Sequence, residues 1–284
     1  MDYKIGIVGQ GFVGSAIREG LKGFYDVTTF DLKEELRNCD SLCELATRSN
    51  FIFVCLPTPM KSDGSCYTGI LEDAVKDINE ICASNNLEDR IIIVKSTVPP
   101  GTSERLDNAC PNITVVFSPE FLTEANSFDD FKNQTRIIVG GSRPASSKVK
   151  TMFRKAFPSI PIVKTSSTHA EMVKYFINCF LSTKVSFANE MYQLCEKIGI
   201  DYDKVLEYAL YDTRLGKSHF SVPGPDGHFG FGGHCFPKDL AAIISIMVKN
   251  DVSPSVLSSV QDKNDEVRGH RDWELMDGRA VIKD

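Results

Sequence analysis

The sequence predicts an α/β protein in which a parallel sheet, covered by helices on both faces, precedes a smaller all-helical domain. In the first half, short apolar runs alternate with amphipathic stretches, the pattern of parallel strands joined by crossover helices. Near residue 166 this alternation stops, and long stretches poor in Gly and Pro follow. A chain of 284 residues, 42% of them hydrophobic, is long enough for two domains with separate cores.

The apolar runs are candidate strands, and the periodic stretches between and after them are candidate helices. The predicted strands cover residues 4–8, 27–30, 51–54, 91–94, 114–117 and 137–139, with 160–163 as a candidate seventh. The predicted helices include 13–22 and 71–83 in the first half, then 170–198, 202–211, 240–249 and 254–267. We therefore expect a sheet domain over residues 1–166, a helical domain over 167–268 and a tail over 269–284.

Composition limits the partners that the protein is expected to bind and the cellular compartment in which it is expected to occur. The formal net charge of −6 without a basic block argues against nucleic acid. No apolar run approaches the roughly 18 residues of a membrane span, and the first residues lead into a predicted strand rather than a signal peptide. None of the nine cysteines forms a C-x-x-C pair, which predicts reduced thiols in a cytoplasmic protein without a metal site.

A glycine-rich turn follows the first predicted strand and opens a helix. Its sequence, Gly9-Gln10-Gly11-Phe12-Val13-Gly14, matches the G-x-G-x-x-G pattern of Rossmann-like sites, where a dinucleotide pyrophosphate approaches a helix N-terminus. Asp31 follows the second strand, 20 residues after Gly11, where a carboxylate accepts ribose hydroxyls and repels a 2′-phosphate. This predicts an NAD site. The alternative is a glycine turn that only packs a helix against a strand.

Polar residues follow three further strands, at the edge where open parallel sheets bind ligands. They are Thr58 after the third strand, Thr97 after the fourth and Glu120 after the fifth. We expect these residues to ring one cleft together with the glycine turn.

A second glycine-rich segment, residues 229–239, delivers Cys235 to the start of a predicted helix, beside Pro237 and Lys238. A thiol at a helix N-terminus next to a lysine is expected to have a lowered pKa and to be partly thiolate at neutral pH. The alternative is a small buried cysteine beside a flexible loop.

The predicted helix 170–198 carries apolar residues nearly all round, which predicts a buried helix and a homodimer through the helical domain. Its apolar positions include Met172, Val173, Phe176, Ile177, Phe180, Leu181, Val185 and Phe187. Four polar residues share one face: Glu171, Lys174, Asn178 and Ser182. Lys174 and Asn178 could direct two donors at a developing oxyanion. The alternative is a polar stripe that faces solvent.

Several motifs occur in a fixed order between about residues 3 and 265. Besides the glycine turn, they are Leu56-Pro57-Thr58-Pro59, Ser96-Thr97-Val98-Pro99-Pro100-Gly101-Thr102, Ser118-Pro119-Glu120-Phe121-Leu122-Thr123-Glu124, Glu171-x-x-Lys174-Tyr175-x-x-Asn178 and Gly232-Gly233-His234-Cys235-Phe236-Pro237-Lys238-Asp239. As a set they are highly specific, and with them the chain resembles the UDP-glucose/GDP-mannose dehydrogenase family.

The resemblance implies two successive NAD-dependent oxidations at one carbon of a nucleotide sugar. They turn a 6-hydroxymethyl group, that of UDP-glucose in the first instance, into a carboxylate for polysaccharide biosynthesis. Cys235 would be the nucleophile that adds to the aldehyde, and the resulting thioester would be hydrolysed. Lys174 and Asn178 would stabilise the oxyanion, and Asp239 would place a water or shuttle protons. Glu120 would be the general base, acting with Thr97 through a water.

The resemblance also implies the binding residues. Those for the cofactor are Gly9, Gly11, Phe12, Val13, Gly14, Asp31, Thr58, Thr97, Glu124 and Lys238. Those for the nucleotide sugar are Glu120, Phe121, Leu122, Lys174, Asn178, Arg214, Phe229 and Gly232. Arg214 matches an arginine that the family presents to the substrate across the dimer interface.

The chain departs from the family's pattern after the helical domain. Family members normally continue into a second Rossmann-like domain that holds much of the nucleotide, and no third glycine-rich unit is found here. We therefore expect weak activity unless a partner subunit or a separate chain completes the site. Two alternatives stay open. One is a two-electron dehydrogenase of the hydroxyacid or 6-phosphogluconate type, which does not need Cys235. The other is a truncated homologue that binds NAD and a nucleotide sugar without turnover.

Overall fold

The computed structural model describes residues 3–283 and divides them into two compact units. The first unit comprises residues 3–58 and 68–174, and the second comprises residues 59–67 and 175–283. The division falls inside the 32-residue helix α7 (Ser167–Ile198), whereas the predicted domain boundary lay at 166/167. The first turns of α7 belong to the first unit because Ala170 and Val173 pack into its core.

In the described part of the chain, seven strands form one sheet in the first unit, in the order β2-β1-β3-β4-β5-β6-β7. The strands are β1 (Lys4–Val8), β2 (Asp26–Phe30), β3 (Phe51–Val54), β4 (Ile91–Val94), β5 (Thr114–Phe117), β6 (Ile137–Gly140) and β7 (Ile162–Thr165). All seven predicted strands are therefore confirmed, with ends shifted by up to two residues.

The sheet is mostly parallel, as predicted, with one exception. Strands β1 to β5 pair in parallel, and β6 pairs in parallel with β7, but β6 runs antiparallel to β5. The connection between β5 and β6 contains only the six-residue helix α5 (Ser127–Lys132). This reversal was not predicted.

Helices cover both faces of the sheet. Besides α5 they are α1 (Phe12–Leu21), α2 (Leu42–Arg48), α3 (Gly69–Ser84), α4 (Thr102–Ala109) and α6 (Ala145–Ala156). Alternate residues of each strand point to opposite faces. Ile7 and Phe53 therefore belong to one buried apolar cluster, while Ile52 and Phe117 belong to the other.

The second unit contains the rest of α7 and three further helices, α8 (Tyr202–Ala209), α9 (Phe236–Lys249) and α10 (Ser255–Val267). The segment 59–67 joins it by backbone hydrogen bonds: Met60 N donates to Ala280 O at 2.8 Å, and Ile282 N donates to Met60 O at 2.9 Å. The residues predicted as a tail thus pack within this unit, where Trp273 and Ala280 are buried. Among residues 3–283, no helix combines the length and apolarity that crossing a membrane requires.

Candidate active site

The glycine turn before α1 leaves no room for side chains. A Cβ on Gly9 would lie 2.5 Å from Cys55 O, and φ at Gly9 is +87°. A Cβ on Gly14 would lie 1.9 Å from Gly9 O, so α1 can pack this closely only through glycine. A Cβ on Gly11 would meet no described atom within 4 Å. The turn is therefore tight on the protein side and open at Gly11, as a bound pyrophosphate requires.

Asp31 braces this turn from the end of β2. Gln10 N donates to Asp31 Oδ2 at 2.7 Å, and Lys33 N donates to Asp31 Oδ1 at 2.9 Å. The carboxylate thus lies beside the glycine turn at the carboxyl end of β2, where a ribose is bound in Rossmann-like sites. The residues present fit an NAD molecule.

Two of the predicted cofactor residues form a hydrogen bond between the segment that follows β3 and the segment that follows β4. Thr58 Oγ1 donates to Thr97 O at 2.7 Å, and both residues are buried. Glu124, another predicted cofactor residue, lies on an exposed part of the segment after β5. The structure thus places Thr58 and Thr97 together at the carboxyl edge of the sheet.

Glu120 and Lys174 form a buried ion pair in the first unit. Lys174 Nζ donates to Glu120 Oε1 at 2.9 Å and to Glu120 O at 2.8 Å, and Leu122 N donates to Glu120 Oε2 at 2.7 Å. Burial works to raise the pKa of Glu120, but Lys174 and the Leu122 N–H outweigh it, so the pKa lies below the ordinary value. Glu120 is therefore ionised at neutral pH.

Phe121 and Leu122 are held by the same turn. The Arg136 guanidinium lies 4.3 Å from the centre of the Phe121 ring, and the Lys174 ammonium lies 5.6 Å from it. Glu120, Phe121, Leu122 and Arg136 also line a cavity of about 210 Å³ in the first unit.

Asn178, Lys238 and Asp239 form a second buried cluster, in the second unit. Asn178 Nδ2 donates to Asp239 Oδ2 at 2.6 Å, and Lys238 Nζ donates to Asp239 Oδ1 at 2.5 Å. Burial opposes the charge on Lys238, but Asp239, with the thiols of Cys66 and Cys235, outweighs it and raises the pKa of Lys238 above its ordinary value. Lys238 therefore stays an ammonium ion.

Cys235 occupies the N-cap position of α9, with Pro237 in the first turn of the helix. Asp239 N donates to Cys235 O at 3.0 Å, which closes this first turn. Cys235 is partly exposed, while Lys238 and Asp239 on the same turn are buried. The prediction that a helix begins directly after Cys235 is confirmed. Helix α9 begins at Phe236, four residues before the predicted bound of 240.

The polar face of α7 is buried, so the alternative of a solvent-facing stripe is wrong. Glu171 accepts from Gly101 N at 2.6 Å and from Ser103 N at 2.8 Å, and so caps the start of α4. Burial raises the pKa of Glu171 above its ordinary value. Ser182 Oγ donates to Asn178 O at 2.8 Å.

The prediction that the apolar side chains of α7 are buried is wrong for four of them. Met172, Phe176, Phe180 and Phe187 are exposed in the single chain. Helical periodicity shows which residues share a face but not which face turns inward. The polar face is turned inward here because its side chains find hydrogen-bond partners there.

The glycine-rich loop before Cys235 is braced by side chains from distant parts of the second unit, unlike a flexible loop. Gly230 N donates to Asn189 Oδ1 at 3.1 Å, and Phe231 N donates to Asn264 Oδ1 at 2.7 Å. Gly233 N donates to Asp272 Oδ2 at 2.8 Å. A Cβ on Gly232 would lie 2.2 Å from Arg268 Nη2, which explains the glycine there.

Sequence reasoning missed Asn189, Asn264, Arg268 and Asp272. Arg268 is buried and pairs with Asp226 at 2.7 Å and with Asp272 at 2.9 Å. Its one sequence signal is weak: Arg268 and Asn264 lie four residues apart at the end of a predicted helix.

Two predicted substrate residues have side chains outside the buried hydrogen-bonded clusters. The Arg214 side chain is exposed and donates to the Asp212 carboxylate of its own loop. The Phe229 side chain is exposed, its ring lies 5.6 Å from that of Tyr192, and its carbonyl accepts from Arg268 Nη1 at 3.4 Å.

Sequence comparison places these clusters in a known family. The sequence profile of the UDP-glucose/GDP-mannose dehydrogenase NAD-binding domain matches residues 22–157, and that of the family's central domain matches residues 168–266. The chain belongs to the UDP-glucose/GDP-mannose dehydrogenase family. The motifs that indicated this resemblance thus lie on a true member of the family.

Individual relatives agree with this assignment. The chain is 29% identical over 306 residues to the UDP-glucose 6-dehydrogenase AglM of Haloferax volcanii. That alignment covers 92% of this chain and 69% of the relative. Among solved structures it resembles a UDP-glucose dehydrogenase of Pyrobaculum islandicum with a TM-score of 0.82 and 26% identity, covering 94% of this chain and 68% of that one. The chain spans 69%, 64% and 48% of the first three curated relatives that it matches.

The fold is shared with a second kind of dehydrogenase. The 3-hydroxyisobutyrate dehydrogenase of Mycobacterium tuberculosis matches with a TM-score of 0.74 over 92% of both chains, at 16% identity. At this identity the match shows the fold alone.

Proposed function

We propose that this family member oxidises the hydroxymethyl group of a nucleotide sugar, UDP-glucose in the first instance, to a carboxylate with NAD as the acceptor. The observation that carries the proposal is the position of Cys235 at the N-cap of α9, with Asn178, Lys238 and Asp239 hydrogen-bonded in a buried cluster at the same helix start. A two-electron dehydrogenase has no need of a thiol there.

The NAD would be held by the first unit. The turn from Gly9 to Gly14 and the N-terminus of α1 would receive the pyrophosphate, and Asp31 a ribose. Thr58 and Thr97 offer polar groups at the same edge of the sheet. When bound, the nicotinamide accepts a hydride from the carbon that is oxidised.

Cys235 makes the second oxidation possible. Its thiolate sulfur adds to the aldehyde carbon, so that a C–S bond forms and the carbonyl electrons move to oxygen. A hydride would leave that carbon for a second NAD, and the product would be a thioester. Attack by water would then break the C–S bond and return the thiolate. Covalent capture also keeps the aldehyde from escaping.

Lys174 and Asn178 lie four residues apart on α7 and carry the donors for the oxyanion. In the structure, Lys174 is bonded to Glu120, which makes that carboxylate a weak base. We propose that the oxyanion takes over the Lys174 hydrogen bond, which leaves Glu120 free to accept a proton from the hydrolytic water. Asp239, held by Asn178 and Lys238, would relay protons near Cys235.

The proposed partner of this chain is a second copy of it, bound through α7 to form a homodimer. In the second unit, Phe176, Phe180, Phe187, Leu194 and Ile198 on α7 are each more than half exposed. At 100° per residue these positions lie within about 40° of one another, the narrow stripe of a helix–helix seam. Arg214 would then reach the substrate of the other protomer. Nine free thiols fit a reducing cytoplasm.

The dimer is tested by light scattering at micromolar concentration. We expect a dimer for the native chain and a monomer for Phe180→Asp, because a carboxylate cannot be desolvated in an apolar seam. Lys197→Asp, on the same helix, is the control. A native monomer would contradict the homodimer without affecting the proposed chemistry.

The reaction is tested by following NAD reduction on UDP-glucose, GDP-mannose and their N-acetylated relatives, with the acid product quantified. We expect two NADH for each acid formed. One NADH per product would favour the two-electron alternative, and calorimetric binding without an absorbance rise at 340 nm would favour the homologue that binds without turnover.

A further inference from the structure

Lys95 is a buried lysine to which neither the motifs nor the proposed reaction gives a role. It follows β4 directly and is only 6% exposed. Its backbone N donates to Val54 O at 3.0 Å, so the residue continues the sheet. A buried ammonium is costly unless it is held by partners, so its partners indicate its purpose.

The Lys95 side chain reaches across the edge of the sheet to the segment that follows β5. Lys95 Nζ donates to Pro119 O at 2.9 Å and lies 3.5 Å from Ser118 Oγ. Pro119 immediately precedes Glu120, and proline has no N–H through which the backbone could be fixed at that point. The carbonyl is therefore the one backbone hydrogen-bonding group that Pro119 itself offers, and it belongs to the peptide that joins Pro119 to Glu120.

Two lysines thus hold the turn that carries Glu120. Lys95 binds the carbonyl before Glu120, and Lys174 binds the carbonyl and carboxylate of Glu120 itself. Lys95 and Glu120 also line the same cavity of about 210 Å³. We propose that Lys95 is a positioning residue which, through the Pro119 carbonyl, holds Glu120 in place for the hydrolytic step. This inference rests on the role of Glu120 in the proposed function.

The charge on Lys95 adds a pH dependence. Burial, with Lys174 on α7, lowers the pKa of Lys95 to about 8, although Cys55 after β3 and Glu120 after β5 act in the opposite direction. Asp130 and Arg136 are the other charged groups that line the cavity. Below pH 8 Lys95 is an ammonium ion. Above pH 8 it becomes a neutral amine whose bond to Pro119 O is weaker.

The kinetic test compares Lys95→Met and Lys95→Arg with the native chain, and Lys76→Met, an exposed lysine of the first unit, is the control. We expect kcat of Lys95→Met to fall about 10- to 100-fold with the KM for NAD unchanged, because a displaced base slows hydrolysis rather than binding. In Lys95→Arg the alkaline decline of kcat near pH 8 should move upward, because guanidinium does not deprotonate.

A second readout does not depend on activity. The Leu122 amide donates to Glu120 Oε2, so its hydrogen-exchange protection reports whether the turn is formed. We expect this protection to fall at least about tenfold in Lys95→Met, while that of Ile7 in β1 stays unchanged. Unchanged kcat and unchanged Leu122 protection in Lys95→Met would overturn the inference. A native chain that reduces no NAD would instead contradict the proposed function, and the exchange measurement would still decide the role of Lys95.

Discussion

Each unit of the molecule buries a lysine near a carboxylate, Lys95 in the first unit and Lys238 in the second. The pKa values of these two lysines are shifted in opposite directions. In the first unit, Lys95 and Lys174 share one carboxylate, that of Glu120, and the pKa of Lys95 falls to about 8. In the second unit, Lys238 pairs with Asp239, with two thiols nearby, and the pKa of Lys238 rises. Burial opposes the charge in both places, so the ratio of cations to anions decides the outcome.

This difference separates two uses of a buried lysine. Lys238 completes a neutral pair beside Cys235, and its removal would leave the buried Asp239 carboxylate without this salt-bridge partner. Lys95 is the surplus cation of its cluster, so its burial is maintained at a cost in stability. We interpret this cost in stability as a sign that Lys95 is buried there because it positions Glu120.

The largest expected effect on stability is that of Lys238→Met. We expect a loss of about 3–5 kcal/mol in the free energy of unfolding, because Asp239 would remain buried and unpaired with a cation. Lys95→Met should cost less than half as much, because Glu120 keeps Lys174 and because the substitution also removes the cost of burying the surplus ammonium. Urea denaturation at pH 7 measures both, with Lys249→Met, exposed on the same helix as Lys238, as the control. Equal losses for the two buried lysines would break the comparison.

A smaller effect is expected in the pH dependence of stability. The unfolded chain holds the Lys95 proton up to the ordinary pKa of 10.5, whereas the folded chain releases it at about 8. Stability attributable to Lys95 should therefore rise by about 3 kcal/mol from pH 8 to 10.5. The rise should be absent in Lys95→Met. A rise of the same size in both proteins would assign it to other groups.

The smallest effect is expected on the acid side and concerns Glu120. Its folded pKa lies below the ordinary value of 4.5, so the folded chain gains stability above pH 4.5 that it loses as the pH falls through the folded pKa. Glu120→Gln should flatten this acid decline in melting temperature. An unchanged decline would show that the Lys174 pair contributes little to stability.

Much of the first unit could be predicted because several of its strands are short, wholly apolar runs buried on both faces, such as Phe51–Val54 and Ile91–Val94. The position of the glycine turn was predictable because backbone geometry restricts it to glycine, and that of Asp31 because a carboxylate after the second strand is typical of Rossmann-like sites. The direction of β6 was not predictable, because no local pattern records which way a strand enters a sheet.

The second unit was harder to predict, because its important contacts are distant in sequence. The loop before Cys235 is held by Asn189, Asn264 and Asp272, which lie about 30 to 40 residues away along the chain. On α7, periodicity grouped Lys174 with Asn178 correctly, but it misplaced the exposed phenylalanines. The inward face was decided by tertiary hydrogen bonds, which no local pattern contains.

The central claim is that Cys235 captures the oxidised carbon, and its most direct test is acid formation by Cys235→Ala on the best nucleotide sugar. We expect the rate to fall by about four to six orders of magnitude, the usual effect of removing a nucleophile. Cys195→Ala, which removes a buried thiol of the same unit, should keep the native rate. Acid formation by Cys235→Ala at the native rate would contradict the account.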